Sequence, residues 1–165
     1  MAAVDRAIAA DPKLGEALAL KSGLTGMRIQ LGGMTDGMTL GPVMSNLEGK
    51  AEALSPGNPR VLFLAALNTL HKPSFVGGGA KKAMPGFKAA IAAFDRETAG
   101  GGLQPDWGRD DAHLWAGRAA MEMKDWETAR RHFEQVLDVN PAHGWAKQLI
   151  AEVDGKSRGA NGRKS

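Results

Sequence analysis

The sequence has no cysteine and no tyrosine, and aromatic residues make up only 5% of its 165 residues. The lack of cysteine excludes disulfide bonds, thiolate metal sites and cysteine nucleophiles, and it leaves the redox compartment open. Residue types that favour strands are sparse beside abundant alanine, leucine, methionine and lysine. The composition therefore predicts an all-α fold.

Long apolar runs are also missing from the chain. No stretch approaches the roughly 20 apolar residues that cross a bilayer, so we expect a chain that does not span a membrane. The first residues, 1–6, lack the basic and then apolar pattern of a signal peptide. A targeting segment removed from upstream would be invisible in this sequence.

The net charge of +3 comes from the end of the chain. Residues 156–165 hold four basic residues and no acid, which leaves 17 basic against 18 acidic side chains in the rest. We expect a single domain over residues 1–155, followed by a disordered basic tail that is solubilising rather than a tether for an anionic partner. Without a basic surface on the folded part, nucleic-acid binding is not expected.

Residues 109–141 carry two apolar stripes at helical spacing, separated by a turn at which Asp125 is placed as an N-cap. The small residue Gly117 is followed by Ala129 twelve residues later, by Phe133 after four more, and by Pro141 after another eight. This order resembles a tetratricopeptide repeat, which recurs at about 34 residues. Gly117 and Ala129 would let the two helices approach, and Phe133 would fill the space beside them.

Two further copies of this pattern are present. One begins at residues 56–66 and continues with Ala83, Phe87 and Ala90, spaced like Ala129, Phe133 and Val136, and a weaker one covers residues 7–56. The resemblance implies a right-handed superhelical stack of antiparallel helix pairs, with a lone N-terminal helix ending near residue 11. A last helix over about residues 143–153 is expected to cap the stack, with Trp145 packing there rather than stacking on a ligand.

Three insertions interrupt the repeat pattern. Ten extra residues fall within 31–42, five within 71–79 and twelve around 99–108. Because the first two occupy equivalent turns, we expect two loops that share one edge of the stack. The candidate binding residues, chosen for adaptable apolar groups and accessible backbone, are Met34, Met38, His71, Phe75, Gly77, Gly78, Gly79 and Trp107. The alternative is that Met38, Leu40 and Phe75 pack underneath as loop anchors.

The helix ending near His71, followed by a proline, an aromatic residue and three glycines, resembles a group of bacterial tetratricopeptide-like proteins, many of them exported. The resemblance covers most of the chain and implies a fold and a periplasmic location, with no activity attached. More distantly, the stack is similar to the helical-repeat component of some periplasmic solute transporters. That comparison suggests small-molecule handling by analogy alone.

Residues with catalytic or metal-binding potential do not form a known pattern. The three glycines before Lys81 and Lys82 lack the order of a Walker loop, so no nucleotide site is predicted. The four histidines lack ligand spacing, although His71 and His113 could approach one another near the inserted loops. We therefore predict no enzyme activity, no cofactor and no metal.

The sequence predicts a binding protein, in one of two classes. In the first, the concave groove and the inserted loops bind a protein or peptide partner, as a scaffold or adaptor. In the alternative, the loops close a pocket for a small apolar molecule, and the protein is a carrier or a transport accessory. An enclosed pocket lined by Met, Phe and Leu would favour the carrier, and an open groove with charged side chains would favour the scaffold.

Overall fold

The computed structural model describes residues 1–97 and 107–161 of the chain. Within these parts its regular secondary structure is all helical, with no strand, which confirms the predicted fold class. The elements are α1 (Ala2–Ala10), α2 (Gly15–Leu54), α3 (Pro59–His71), a short 3-10 helix (Ser74–Val76), α4 (Ala80–Arg96), α5 (Arg109–Glu122), α6 (Trp126–Val139) and α7 (Gly144–Asn161).

Each helix packs mainly on the next one along the chain. The most extensive contacts join α3 to α4 and α5 to α6, which are the second and third predicted pairs. The lone helix α1 lies against α2, and α7 lies against α6 at the other end. N-caps stabilise both pairs, because the side chains of Asn58 and Asp125 accept hydrogen bonds from backbone amides in the first turns of α3 and α6. The cap at Asp125 is the one predicted from the sequence.

The proposed equivalence of the second and third pairs agrees with their packing. Phe87 of α4 and Phe133 of α6 are both completely buried. A Cβ atom at Gly117 of α5 would overlap the ring of Phe133, so only glycine lets this ring lie so close to α5. In the second pair, a Cβ atom at Gly86 would lie 2.9 Å from that of Ala66. Close approach at small residues and a buried phenylalanine therefore hold both pairs.

The first insertion is not the predicted loop. Residues 31–42 are helical, and α2 is interrupted only at Gly33, whose φ of 73° and ψ of −150° lie outside the helical region. This backbone conformation is accessible to glycine and strained for other residues, which explains why the helix breaks there. The remaining residues of the insertion, rich in Leu, Met and Thr, lengthen two helical arms instead of forming a loop. Arg28 and Asp36 form an ion pair across the break at 3.5 Å.

The two arms of α2 form the first pair. The hydroxyl of Ser22, on the first arm, donates a hydrogen bond to the carbonyl oxygen of Met44 on the second arm at 3.1 Å. These are the residues that align with Gly117 and Ala129 of the third pair. Gly117 and Ala129 have no polar side-chain group, so the third pair has no side-chain hydrogen bond of this kind at the equivalent positions.

The last helix covers the end of the stack, as predicted, although Trp145 is not part of the cap. Ala146, Leu149 and Val153 are buried against the core, whereas Trp145 is 39% exposed and lies outside this cap. The helix continues to Asn161, into the segment that we expected to be a disordered tail. Residues 162–165 lie outside the described residues, and the domain boundary at 155 stays a prediction.

Candidate functional site

Three ring side chains from alternate helices contact one another on one face of the protein. The ring of His71, at the end of α3, lies 5.2 Å from that of Trp115 in α5, at an interplanar angle of 74°. The ring of Trp115 lies 6.1 Å from that of Trp145 in α7, at 85°. We call His71, Trp115 and Trp145 the aromatic row. His71 and Trp145 are exposed and Trp115 is partly buried, so the row is accessible to solvent.

The helical period explains why Trp115 reaches this face. The residues on either side of it, Leu114 and Ala116, are buried, and Ala112 and Ala119 complete the buried stripe of α5. Trp115 and Arg118 are three residues apart, so both side chains lie on one side of α5, next to this stripe. Trp145 stands in the first turn of α7, just before the residues that cap the core.

Arg118 adds a positive charge to the aromatic row. Its guanidinium carbon lies 4.9 Å from the centre of the Trp115 ring and 5.3 Å from that of Trp145. Both distances are within the range of a cation–π attraction, which holds the guanidinium over the two indoles. The guanidinium can pair with a carboxylate in a bidentate manner, so the row combines flat apolar surface with an anion-binding group.

The orientation of the His71 ring follows from one hydrogen bond. Its Nδ1 atom lies 2.9 Å from the carbonyl oxygen of Leu67, one turn earlier in α3. A carbonyl oxygen can only accept a hydrogen bond, so Nδ1 carries the hydrogen and donates it. In the neutral ring, the lone pair then resides on Nε2.

A polar site separate from the aromatic row lies on α5 and α6 and contains two histidines. The Nδ1 atoms of His113 and His132 are 3.1 Å apart, and both rings line an open cleft of about 440 Å³ that Lys88 and Arg131 also border. Burial, and then the charge of His113, lowers the pKa of His132 to about 4. Burial also lowers the pKa of His113. Both rings are therefore neutral near pH 7, and one Nδ1–H donates to the other Nδ1.

The structure gives His71 and His113 different partners. His71 contacts Trp115, and His113 pairs with His132. The reason is the helical period, because His113 and Trp115 are two residues apart on α5 and so point in different directions.

The apolar residues predicted for the loop edge are exposed. Met34 and Met38 lie on the second arm of α2, with exposed fractions of 84% and 76%, and Phe75 in the 3-10 helix is 87% exposed. Neither Met38 nor Phe75 is a buried loop anchor, and Leu40 is only partly buried. Their role in binding stays a prediction.

The glycine loop has a structural explanation. Gly77 and Gly79 have positive φ angles, and Gly78 is buried where a Cβ atom would overlap Lys72. The amide of Gly79 donates to the carbonyl oxygen of Thr69 at 2.9 Å, which folds the loop back onto α3. This geometry explains the three glycines without a ligand.

Trp107 lies near a buried cation. The guanidinium carbon of Arg60, which is buried, is 5.7 Å from the centre of the Trp107 ring and 5.5 Å from that of Phe94. Glu97 accepts hydrogen bonds from both terminal nitrogens of Arg60. Trp107 therefore helps to cover a charged group in the core. Residues 98–106, which include most of the third insertion, lie outside the described residues.

Of the eight predicted binding residues, His71 alone belongs to the aromatic row. Sequence reasoning missed Trp115 and Arg118, and it assigned Trp145 to the cap. The available signal was the spacing on α5, where a tryptophan and an arginine three residues apart lie beside the buried stripe.

In the described parts of the chain, no group of three or more His, Asp or Glu residues is placed to hold a metal ion. No helix there has the length and apolarity needed to cross a membrane.

A comparison with solved structures finds the HusA haemophore from Porphyromonas gingivalis. The similarity covers 72% of this chain and 59% of that chain, with a TM-score of 0.64 and 26% sequence identity. The matched region thus spans less than two thirds of the haemophore.

A second similar structure is that of MamA, a tetratricopeptide-repeat protein. It matches over 93% of this chain and 75% of that chain, with a TM-score of 0.57 and 16% identity. At this identity, the likeness concerns the fold alone. No family model matches the sequence, and no curated protein matches it either.

Proposed function

We propose that this chain is a non-catalytic binding protein that carries a flat, aromatic, acidic small molecule on the aromatic row. The observation that carries the proposal is the contact of Trp115 and Trp145 with each other and with Arg118, on an accessible face. The proposal takes up the carrier class, which the sequence analysis gave as the alternative to a scaffold. It moves the site from a pocket under inserted loops to a surface formed by α3, α5 and α7.

The chemistry of the row determines the class of ligand. Indole rings offer flat apolar surfaces, on which an aromatic ligand gains both area burial and favourable ring geometry. Arg118 now covers part of these surfaces. The two indoles are nearly perpendicular, so a flat ligand can stack on one of them and meets the other edge-on. The carboxylate of the ligand can draw the flexible Arg118 side chain outward into an ion pair. The positive charge then selects an acidic ligand over a neutral one of similar shape.

Haem is the first ligand to test. The 26% identity to a haemophore supports a haem-like ligand. Haem is a flat macrocycle with two carboxylates, and these features fit Trp115, Trp145 and Arg118. No enclosed cavity is required, because one face of the ligand can stay open to solvent or to a receiving protein.

The test is a titration of haem into the purified protein, followed by the Soret absorbance and by tryptophan fluorescence. We expect saturable binding of one haem per chain. Replacing Trp145 by leucine should weaken it by at least about tenfold, as truncating a tryptophan at the centre of a binding site does. Arg118→Gln should weaken haem more than it weakens a porphyrin without carboxylates.

Phe75→Ala is the matched control for this test. Phe75 is exposed and aromatic but lies in the predicted loop edge, outside the row. Unchanged haem binding in Phe75→Ala, together with a loss in Trp145→Leu, supports the aromatic row. The reverse result would return the site to the loop edge, and no saturable binding by the wild type would refute the proposed ligand.

The second candidate is a scaffold that binds a protein or peptide through the same row. Its support is the residue content, because Trp and Arg are the side chains most often dominant at protein interfaces. Native mass spectrometry on protein purified from its source cells distinguishes the two. A stoichiometric protein partner that is lost in Trp145→Leu, without haem binding, would establish the scaffold. A retained small molecule would establish the carrier.

The cellular location stays a prediction. A haem carrier that acts outside the cytoplasm would agree with the exported, periplasmic location that the resemblance implies. Fractionation of the source cells tests this directly, and recovery with cytoplasmic markers would contradict it.

A further inference from the structure

We propose that His71 binds the iron of haem through its Nε2 atom. This inference rests on the proposed function and makes it more specific. Ligation of iron by His71 would select iron porphyrins over iron-free porphyrins, a distinction that aromatic contact with Trp115 and Trp145 cannot make.

The hydrogen bond to Leu67 prepares His71 for this role. Because Nδ1 donates to the Leu67 carbonyl oxygen at 2.9 Å, the neutral ring presents its lone pair at Nε2. Histidine ligands of metals commonly donate their other ring nitrogen to a backbone carbonyl, which fixes the tautomer and the ring orientation. His71 therefore already has the arrangement that a metal-binding histidine needs. The ring is exposed, so a large ligand can reach it.

The position of His71 in the row permits coordination and stacking at the same time. An imidazole that binds haem iron stands steeply to the macrocycle, whereas a stacked indole lies along it. The His71 and Trp115 rings are inclined at 74°, with centres 5.2 Å apart. This inclination is compatible with a macrocycle that lies along Trp115 and whose iron meets Nε2 of His71.

The other histidines in the described residues are engaged elsewhere. The Nδ1 atoms of His113 and His132 contact each other on the α5–α6 cleft. Nδ1 of His143 accepts a hydrogen bond from the amide of Ala146 at 3.2 Å, where it caps the start of α7. His71 is the histidine of the aromatic row.

The test compares two ligands, haem and iron-free protoporphyrin IX, on the wild type, His71→Gln and His132→Gln. In wild type and in the control His132→Gln, we expect ferric haem to show the Soret and visible bands of histidine-bound iron. In His71→Gln we expect those bands to be lost and haem affinity to fall by at least about tenfold. Protoporphyrin IX affinity should change by less than about twofold.

A second variant separates ligation from a general disturbance of the site. His71→Gly removes the ring, and added free imidazole should restore the histidine-type spectrum of bound haem. A His71→Gln variant that binds both porphyrins as the wild type does, or loses both equally, would overturn the assignment of His71. Failure of the wild type to bind either porphyrin would instead refute the proposed function.

Discussion

The first and third helix pairs are joined by different chemistry. In the third pair, Gly117 lets the buried ring of Phe133 lie directly against α5. In the first pair, the hydroxyl of Ser22 bonds to the Met44 carbonyl oxygen, and the buried Asn68 side chain donates to Ser22 at 3.1 Å. One pair is joined by an apolar wedge and the other by a polar network.

This difference between the two pairs indicates how the first pair accommodates its ten-residue insertion. An apolar wedge stabilises in proportion to the volume it fills, and it requires helices of matching shape. A hydrogen bond adds less net stability but is directional, so it fixes the register of two arms that extend beyond the stack. Glu48 extends this network, because it accepts from Asn68 at 2.7 Å and from Lys72 at 3.0 Å. The long arms of α2 are thus tied to α3 at a defined position.

The largest expected effect is at the apolar wedge. Replacing Phe133 by alanine should lower the free energy of unfolding by about 3–5 kcal/mol, because it leaves a cavity in the fully buried core. Urea denaturation followed by circular dichroism measures this loss. The matched control is Phe75→Ala, which should change stability by less than about 0.5 kcal/mol. An unchanged urea midpoint for Phe133→Ala would refute the repeat alignment.

The next largest effect is expected in the same pair, where the Phe133 ring lies directly against Gly117 of α5. Gly117→Ala should destabilise the protein by about 1–3 kcal/mol, since the new methyl group overlaps the Phe133 ring. Gly49→Ala is the control in the first pair, where a Cβ atom meets nothing within 4 Å. It should stabilise by about 0.5–1 kcal/mol through helix propensity. If both substitutions have the same sign, the two pairs do not differ as described.

A smaller loss is expected at the polar network. Asn68→Ala removes the donor to Ser22 and Glu48 and should cost about 1–2 kcal/mol. The exposed Asn46→Ala, on the second arm of α2, should change stability by less than about 0.5 kcal/mol. Urea denaturation of both variants gives the comparison. Equal stability of the two would show that the network contributes geometry without net stability.

The smallest expected effect is a pH dependence of the free energy of unfolding, caused by His132 in the third pair. An unfolded histidine has a pKa near 6.5, whereas the pKa of His132 in the fold is about 4. Between these values the unfolded state binds more protons, so stability is complete above about pH 6.5 and falls as the pH drops towards 4. The charges that act on His132 are those of His113, Arg131, Lys88 and Asp125.

His132→Gln tests this pH dependence. We expect the variant to lose less stability than the wild type between pH 6.5 and pH 4.5, as measured by urea midpoints across that range. The ring is half-buried, so solvent screening keeps the difference small. An identical pH profile for both proteins would contradict the lowered pKa.

The repeat pattern could be predicted from the sequence because it depends on spacing within single helices. Phe87 and Phe133 are buried as their shared spacing indicates, and Asn58 and Asp125 cap their helices. The first insertion could not be predicted, since glycine and proline are usual signs of a loop. In α2, Pro42 lies within a helix, and Gly33 alone breaks it. Local propensity is a weak guide where packing against a second arm supports a helix.

By itself, the sequence determined the all-α class, the three helix pairs and the buried wedge residues, because helical periodicity alone places those side chains on one face. Only the tertiary structure decided the binding surface. His71, Trp115 and Trp145 belong to three different helices, and the first and the last are 74 positions apart in the sequence. Their contact depends on how those helices stack, and no local pattern encodes that arrangement.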